Sequence, residues 1–420
     1  MRAVAAVLFL GLLPAAGLAA GVEGKREGRY LTGLPLVNFT SDTGVGYGAR
    51  VYVNDNGRRG DARFDAAPYL AQVWVQYFAT TGGWSYHGLH ADLPFAGGTP
   101  WRVRTEFIYD RNTDQHYFGA GETSLARLPG GTYARYRAAL DAAEPLGPGS
   151  TSSRALSYDL ERPHACLQLE RRVAGPVSVM AGFTAERSTV RTYDSRTVRV
   201  NGVGRVQGPT RLATDAPRGI AGGWTNPVRA GVAVDTRDYE PAPRTGWFAD
   251  LTAEASLPAL GSDYRFTRQT LTVRRYQPVV RNLVAAVRGS CALLQGDPPF
   301  YALSTLGCMD GRVEGLGGGW SLRGYKENRF TGPVTALADI ELRYDAASAV
   351  IAGQHFLVTP VVFGDAGRVW DRAAGLGLSG YRTDVGGGVR IAWNRATIVN
   401  ATWGRSAEDT NLFIDFGHQF

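Results

Sequence analysis

Residues 315–330 hold the side chain best suited to specific recognition chemistry. Arg323, Gly324 and Tyr325 follow one another there, a few residues after three consecutive glycines at 317–319. Such a glycine run would cost too much backbone entropy in a helix or a strand, so we predict a loop with unusual backbone angles. A guanidinium offers five donors in a rigid fork, which suits a bidentate carboxylate partner. We therefore interpret Arg323 as the anchor of a loop that lacks regular hydrogen bonds of its own.

Side chains that could support catalysis or metal binding do not form a recognisable set. His87 and His90 are three residues apart, which in a strand puts them on opposite faces, away from a shared metal. His116 with Ser124, or His87 with Ser85, would supply a base and a nucleophile, but no motif links either pair. The glycine run also lacks the Lys-Ser/Thr of a phosphate-binding loop. We predict no enzyme activity, no cofactor and no metal site.

The first residues have the features of a secretory signal peptide. Arg2 precedes an apolar run over residues 3–13, and small residues such as Ala19 follow at the positions where cleavage is expected. The apolar run is too short for a retained transmembrane helix and is broken by Pro14. We predict a signal peptide over residues 1–20, followed by a short periplasmic segment over residues 21–30.

The composition is that of an exported chain without transmembrane helices. It has 420 residues, 54 of them glycine, and a formal net charge of +7. No basic and aromatic motif of a nucleic-acid-binding module is present, so the positive charge does not indicate DNA or RNA as a partner. Cys166, Cys291 and Cys308 are an odd number of cysteines, which is not a disulfide framework. Pairing of Cys291 with Cys308 stays open, because sequence spacing does not determine the geometry of a disulfide.

Many segments of about ten residues alternate between apolar and polar side chains, as the strands of a membrane barrel do. Trp247 and Leu251 fall on one face of such a segment, and Asp250 falls on the other. Residues 69–78 and 338–344 show the same alternation. Polar faces that recur from strand to strand favour a wet barrel lumen over a secreted β-sandwich or propeller.

The final segment supports an outer-membrane barrel. In residues 411–420, the apolar side chains Leu412, Ile414, Phe416 and Phe420 share one face of a strand. A last strand that ends in a lipid-facing phenylalanine resembles the terminal signal of bacterial outer-membrane barrels. We therefore predict that Phe416 and Phe420 form this signal and face lipid.

The predicted fold is all-β: a single transmembrane antiparallel β-barrel of about 16 strands over residues 31–420, in the bacterial outer membrane. With both chain ends in the periplasm, connections after odd-numbered strands are extracellular and should be the long ones. The longest gaps follow strands five, seven and eleven, at residues 113–155, 191–225 and 297–332. We predict that the last of these, loop six, folds back into the lumen. The predicted strands are 31–40, 43–54, 67–79, 84–95, 101–112, 156–172, 175–190, 226–238, 245–257, 263–276, 281–296, 333–346, 355–370, 382–393, 395–404 and 411–420.

From about residue 230 to residue 420, the chain resembles the barrel of the BamA/TamA superfamily, the bacterial surface-antigen barrels. The motifs that carry the resemblance occur in the family's order: VDTRDYEPAPRTGW at 234–247, GDPPFYALSTLG at 296–307, SLRGY at 321–325, ELRY at 341–344 and VFGDAGRVW at 362–370. In this family the loop arginine reaches carboxylates on the barrel wall. The resemblance therefore implies that Arg323, with Gly324 and Tyr325 beside it, pairs with Asp365 and Glu341.

The resemblance also implies a non-enzymatic function, the insertion or translocation of protein or lipid at the outer membrane. In the family, loosening between the first and last strands is held to template substrate strands. Relatives with this role carry POTRA domains before the barrel, and the sequence resembles a barrel-only member, so a passive pore or structural surface barrel is the alternative. The expected partners of a monomeric barrel are outer-membrane lipid and either unfolded outer-membrane polypeptides or a separate periplasmic factor.

Overall fold

Each strand pairs antiparallel with its neighbours along the chain, and the first strand pairs with the last. The computed structural model describes residues 27–64, 66–143, 154–200, 203–240, 242–309, 311–351, 354–393, 397–416 and 420. These strand pairings form a closed antiparallel barrel of sixteen strands, which confirms the predicted fold class. The strands are β1 (Arg29–Thr40), β2 (Gly44–Asp55), β3 (Ala71–Thr80), β4 (Trp84–Leu93), β5 (Trp101–His116), β6 (Ser157–Glu161 and His164–Ala174), β7 (Val177–Thr192), β8 (Gly223–Thr225 and Pro227–Asp235), β9 (Gly246–Ser256), β10 (Phe266–Val280), β11 (Leu283–Gly296), β12 (Val334–Tyr344 and Ala347–Ile351), β13 (Gln354–Trp370), β14 (Arg382–Trp393), β15 (Thr397–Arg405) and β16 (Thr410–Phe416).

The remaining regular elements lie in the connections between strands. Two hairpins form within loops, Thr197–Val200 with Val203–Val206 and Thr305–Cys308 with Gly311–Glu314. The helices are α1 (Tyr133–Ala143) and α2 (Arg211–Asp215), with single 3-10 turns at Ala96–Gly98, Gly121–Leu125, Pro258–Leu260, Phe300–Ala302 and Ala373–Gly375. Among the described helices, none has the length and apolar character to cross a membrane.

Side chains alternate along the strands between the lumen and the outer surface. In β12, Asp339, Glu341 and Arg343 are buried, whereas Ile340 and Leu342 are exposed. Because successive side chains of a strand point to opposite faces, this pattern puts the charged residues in the lumen and the apolar ones on the outside. The arrangement confirms the polar lumen that the sequence predicts.

Some strand bounds differ from the prediction. The predicted strand 156–172 is interrupted at Pro163, and the predicted strand 226–238 begins its longer segment at Pro227. Proline has no N–H to donate to a ladder, so it interrupts a strand or stands at its first position. β12 continues beyond its predicted end to Ile351, and β1 begins at Arg29, inside the predicted periplasmic segment 21–30.

The longest connections all follow odd-numbered strands. Residues 117–156, 193–222 and 297–333 follow β5, β7 and β11 and lie at one end of the barrel, which agrees with the predicted loop positions. The predicted signal peptide, residues 1–20, lies outside the described residues. Cys166 and Cys291 are free thiols.

Candidate functional site

Arg323 is fully buried inside the barrel and contacts two carboxylates of the wall. Its Nε and Nη2 donate to Asp365 Oδ2 and Oδ1 at 2.8 and 2.7 Å, and Nη1 donates to Glu341 Oε1 at 2.6 Å. The guanidinium carbon lies 3.3 Å from the ring centroid of Phe363. The side chains of Arg323, Glu341 and Asp365 are at most 1% exposed, so water does not screen these contacts. The structure therefore brings together the three charged residues that the sequence singled out.

The carboxylates are presented by two adjacent strands. Glu341 on β12 lies directly opposite Phe363 on β13, and Asp365 is two residues further along β13 on the same lumen face. Burial opposes the charge of Arg323, but its hydrogen bonds to Asp365 and the charge of Glu341 outweigh that effect and raise the pKa of Arg323. The arginine thus stays charged and holds loop six against this wall.

Glu341 also accepts hydrogen bonds from two arginines for which the sequence suggested no role. Arg343 Nε donates to Glu341 Oε2 at 2.8 Å, and Arg390 on β14 donates from both terminal nitrogens at 2.9 and 2.8 Å. The one negative charge of Glu341 is therefore shared among three guanidinium groups. Arg390 follows three glycines in the segment GGGVRIAW, residues 386–393. A single arginine on the lumen side of such a strand is the sequence feature that could have identified it.

Gly324 and Tyr325 complete the tip of loop six. A Cβ on Gly324 would lie 2.6 Å from the backbone atoms Arg405 C and Ser406 N and from the Cβ of Asp384, so the loop backbone lies directly on β14 and β15. The Tyr325 ring packs edge-on against Phe330, with 5.0 Å between ring centroids. Close approach of the backbone explains the glycine, and apolar burial explains the aromatic residue.

Gly324→Ala is expected to lower the free energy of unfolding of the barrel by about 1–3 kcal/mol, because the new methyl group overlaps strand backbone that cannot move aside. Thermal unfolding followed by the loss of the folded band on a semi-native gel measures this. Gly289→Ala is the matched control, since a Cβ at Gly289 on β11 meets nothing within 4 Å. Equal stability of the two variants would contradict the close contact at Gly324.

The other half of loop six reaches the opposite wall of the lumen. In its hairpin, the Met309 N–H donates to Asp250 Oδ2 at 2.9 Å, and Gly307 O accepts from Thr252 Oγ1 at 3.2 Å. Met309 O also accepts from Arg104 Nη1 on β5 at 3.4 Å, and β5 lies eight strands from β13 in the sixteen-strand barrel. Loop six therefore crosses the lumen from one wall to the other, as an inward-folded loop should.

Arg329 connects loop six to the loop after β5 and to the short β15–β16 connection, and it was not anticipated from the sequence. Its Nε and Nη2 donate to Glu408 in the β15–β16 connection at 2.7 and 3.0 Å, and Nη2 also donates to Ala126 O at 2.7 Å. Its Nη1 donates to Ser124 O in the loop after β5. Arg329 is 2% exposed. It thus joins three loops into a cap over the lumen.

The contact between the first and last strands, which we call the seam, is short in the part of the chain that the structure describes. Among the described residues, the ladder between β1 and β16 contains Phe39 with Ile414 and Thr40 with Phe413. β1 pairs with β2 along its whole length, so its other edge is mostly without a ladder in the described part of the chain. Pro35 lies on β1 beyond the last seam pair, where its missing N–H is compatible with an edge strand.

Phe420 does not face lipid, contrary to the prediction. Its side chain is 6% exposed, and its ring lies in the lumen, 4.8 Å from the guanidinium carbon of Arg288 and 5.2 Å from that of Arg343. The Phe420 carbonyl also accepts from Arg343 Nη2 at 2.8 Å. Two cations over an aromatic ring favour burial of that ring among the lumen arginines. Phe416 ends β16 opposite Val399, and its side chain lies outside the described part of the structure.

A model of the Omp85 superfamily domain matches residues 117–400. The chain belongs to the Omp85 superfamily. The matched region begins at residue 117, well before the motifs at residues 234–370 that carry the family resemblance. A second model, a domain of unknown function (DUF5982), matches residues 19–70. No curated protein matches the sequence.

Solved barrels share the fold of this Omp85 protein at low sequence identity. BamA from Haemophilus ducreyi lacking POTRA domains 1–3 is 13% identical with a TM-score of 0.54, over 94% of this chain and 71% of that chain. CdiB from Acinetobacter baumannii is 13% identical with a TM-score of 0.50, over 94% of this chain and 60% of that chain. CdiB from Escherichia coli is 10% identical with a TM-score of 0.55, over 92% and 63%. The chain thus spans less than two thirds of the length of the CdiB chains. It is an integral outer-membrane barrel of the Omp85 type.

Proposed function

We propose that this Omp85 barrel inserts or translocates polypeptide at the outer membrane, through addition of a substrate strand to β1. The observation that carries the proposal is the short seam among the described residues, because an unpaired strand edge is a template for pairing with another chain. The role requires no catalytic residue, cofactor or metal. The proposed partners of a monomeric barrel are outer-membrane lipid and either unfolded outer-membrane polypeptides or a separate periplasmic factor.

Loop six bears on the alternative of a passive pore. Because the loop contacts both β5 and β13, which lie on opposite sides of the barrel, it occupies the space through which a solute would pass. A pore function would need the loop to leave the lumen, against the ion pairs of Arg323. An insertase with a lateral opening has no such requirement.

The test uses the full chain, purified and reconstituted in liposomes that receive a urea-unfolded outer-membrane barrel as substrate. Folding of the substrate is followed by its heat-modifiable gel mobility. We expect faster folding than in empty liposomes. Folding at the rate of empty liposomes, together with steady conductance in planar bilayers, would favour the passive pore instead.

A locked seam provides the matched variant for this assay. Phe39→Cys with Ile414→Cys, in a background in which the three native cysteines are alanine, places two thiols at directly opposed ladder positions, where a disulfide can form. We expect the oxidised variant to lose the acceleration and the reduced variant to regain it. Equal acceleration in both redox states would rule out substrate addition at the seam.

A further inference from the structure

Lys326 in loop six is surrounded by acidic and polar groups from two other connections. Its Nζ lies 3.1 Å from Asp42 Oδ1 and 3.4 Å from Asp409 Oδ2. It also donates to Ser41 O at 3.2 Å and to Asn411 Oδ1 at 3.1 Å. The lysine side chain is 10% exposed, so these contacts form largely out of water. Four oxygens around one buried ammonium make a defined site rather than a loose surface pair.

These oxygens come from opposite sides of the seam. Ser41 and Asp42 belong to the turn between β1 and β2, whereas Asp409 and Asn411 belong to the connection into β16 and to β16 itself. The seam ladder ends directly below, and Ser41 N donates to Leu412 O at 3.1 Å. Lys326 therefore sits at the one end of the seam where the first and last strands are joined in the described structure.

The charges at this site favour a closed seam. Burial disfavours the ammonium, but Asp42 and Asp409 outweigh that effect and raise the pKa of Lys326. The ammonium compensates both carboxylates only while they are close together. If the strands separate, Lys326 can remain with one of them and the other loses its partner.

We propose that Lys326, Asp42 and Asp409 form a seam clasp, through which loop six holds β1 and β16 together at the extracellular end. Lys326 is thus a positioning residue for lateral opening. The backbone N–H of Glu327 adds a hydrogen bond to Asp42 Oδ2 at 3.2 Å on the same side of the seam.

The clasp also connects the seam to the lumen. Lys326 is three residues after Arg323, which is held by β12 and β13 on the barrel wall. A polypeptide that displaces loop six from the lumen would pull Lys326 away from its carboxylates and so release the seam. This coupling rests on the proposed function, because it matters only if the seam opens for a substrate.

The clasp is tested by the distance across the seam. Spin labels at Val37→Cys on β1 and Trp403→Cys on β15, both outward and exposed, report this distance in nanodiscs, in the background without native cysteines. We expect Lys326→Met to raise the ratio of long to short distances about tenfold, since the charge-assisted contacts across the seam are lost. A distance distribution identical to that of the parent barrel would overturn the proposal.

Arg268→Met is the matched control, because Arg268 is also buried and ion-paired, with Glu254 on β9 at 2.6 Å, away from the seam. We expect it to leave the distances across the seam unchanged. Widening by Arg268→Met to the same extent would mean that any lost lumen cation loosens the barrel, and the clasp would be rejected.

Asp42→Asn and Asp409→Asn provide a second measurement in case Lys326→Met does not fold. Each removes one carboxylate, and each is expected to widen the seam less than Lys326→Met. No change in either variant would contradict the clasp. The distances are read without substrate, so a seam that widens in Lys326→Met while the parent barrel fails to accelerate folding would support the clasp and reject the insertase.

Discussion

Replacing Arg323 with alanine is expected to lower the free energy of unfolding by about 3–5 kcal/mol, the range found when one partner of a buried ion pair is removed. The substitution leaves Glu341 and Asp365 buried on adjacent strands without the cation between them. It also frees the tip of loop six from the wall. The temperature at which the folded band disappears on a semi-native gel should therefore fall well below that of the parent barrel.

Arg191→Ala is the control for this prediction. Arg191 also pairs with two carboxylates, Asp159 at 3.3 Å and Glu161 at 2.8 Å, but its side chain is 34% exposed. Exposed pairs contribute about 0–1 kcal/mol, so this variant should unfold almost like the parent. Asp365→Asn combined with Arg323→Ala should be clearly non-additive, because the two residues share a contact. Strict additivity would count against that contact.

Glu341→Gln is expected to destabilise the barrel at least as strongly, by about 3–5 kcal/mol. Glu341 is the shared acceptor of Arg323, Arg343 and Arg390. Glutamine has a similar shape but no charge, and its amide hydrogens would face guanidinium donors. Three buried cations would then repel one another without a central anion, and the loss should appear as a lower midpoint in guanidinium unfolding from lipid vesicles.

Removing one of the repelling cations should partly restore stability. Arg390→Met in the Glu341→Gln background is expected to recover at least about 1 kcal/mol, whereas Arg390→Met alone should destabilise the barrel. Glu161→Gln is the control, because Glu161 pairs with the partly exposed Arg191 and should change stability by about 0–1 kcal/mol. A double variant less stable than Glu341→Gln would show that cation repulsion is not the cause.

The architecture follows largely from local pattern. Period-two alternation in segments such as 338–344 requires a strand with one polar face, and its repetition around sixteen strands requires a polar lumen. The turn-rich gaps gave the positions of the long loops. The exceptions, such as the interruption at Pro163, come from a single missing N–H, which a hydropathy pattern does not register.

The partners of buried charges depend on register. The motif residues Arg323, Glu341 and Asp365 could be named from the sequence because a family resemblance supplied their pairing. The pairing of Arg390 with Glu341 could not be named, because it joins β14 to β12 across the intervening strand. Such a contact exists only once the strands are tilted and closed into a barrel, and no local pattern encodes it.

The sequence by itself determined the all-β class, the strand count, the lumen-facing charges and the loop that turns inward, since each follows from alternation, glycine content or a local motif. Only the tertiary structure decided that Lys326 reaches both sides of the seam, that Arg329 joins three loops and that Phe420 turns inward. The physical reason is that a buried charge or ring takes its partners from whatever the closed barrel brings within a few ångströms. Those partners are far away along the chain.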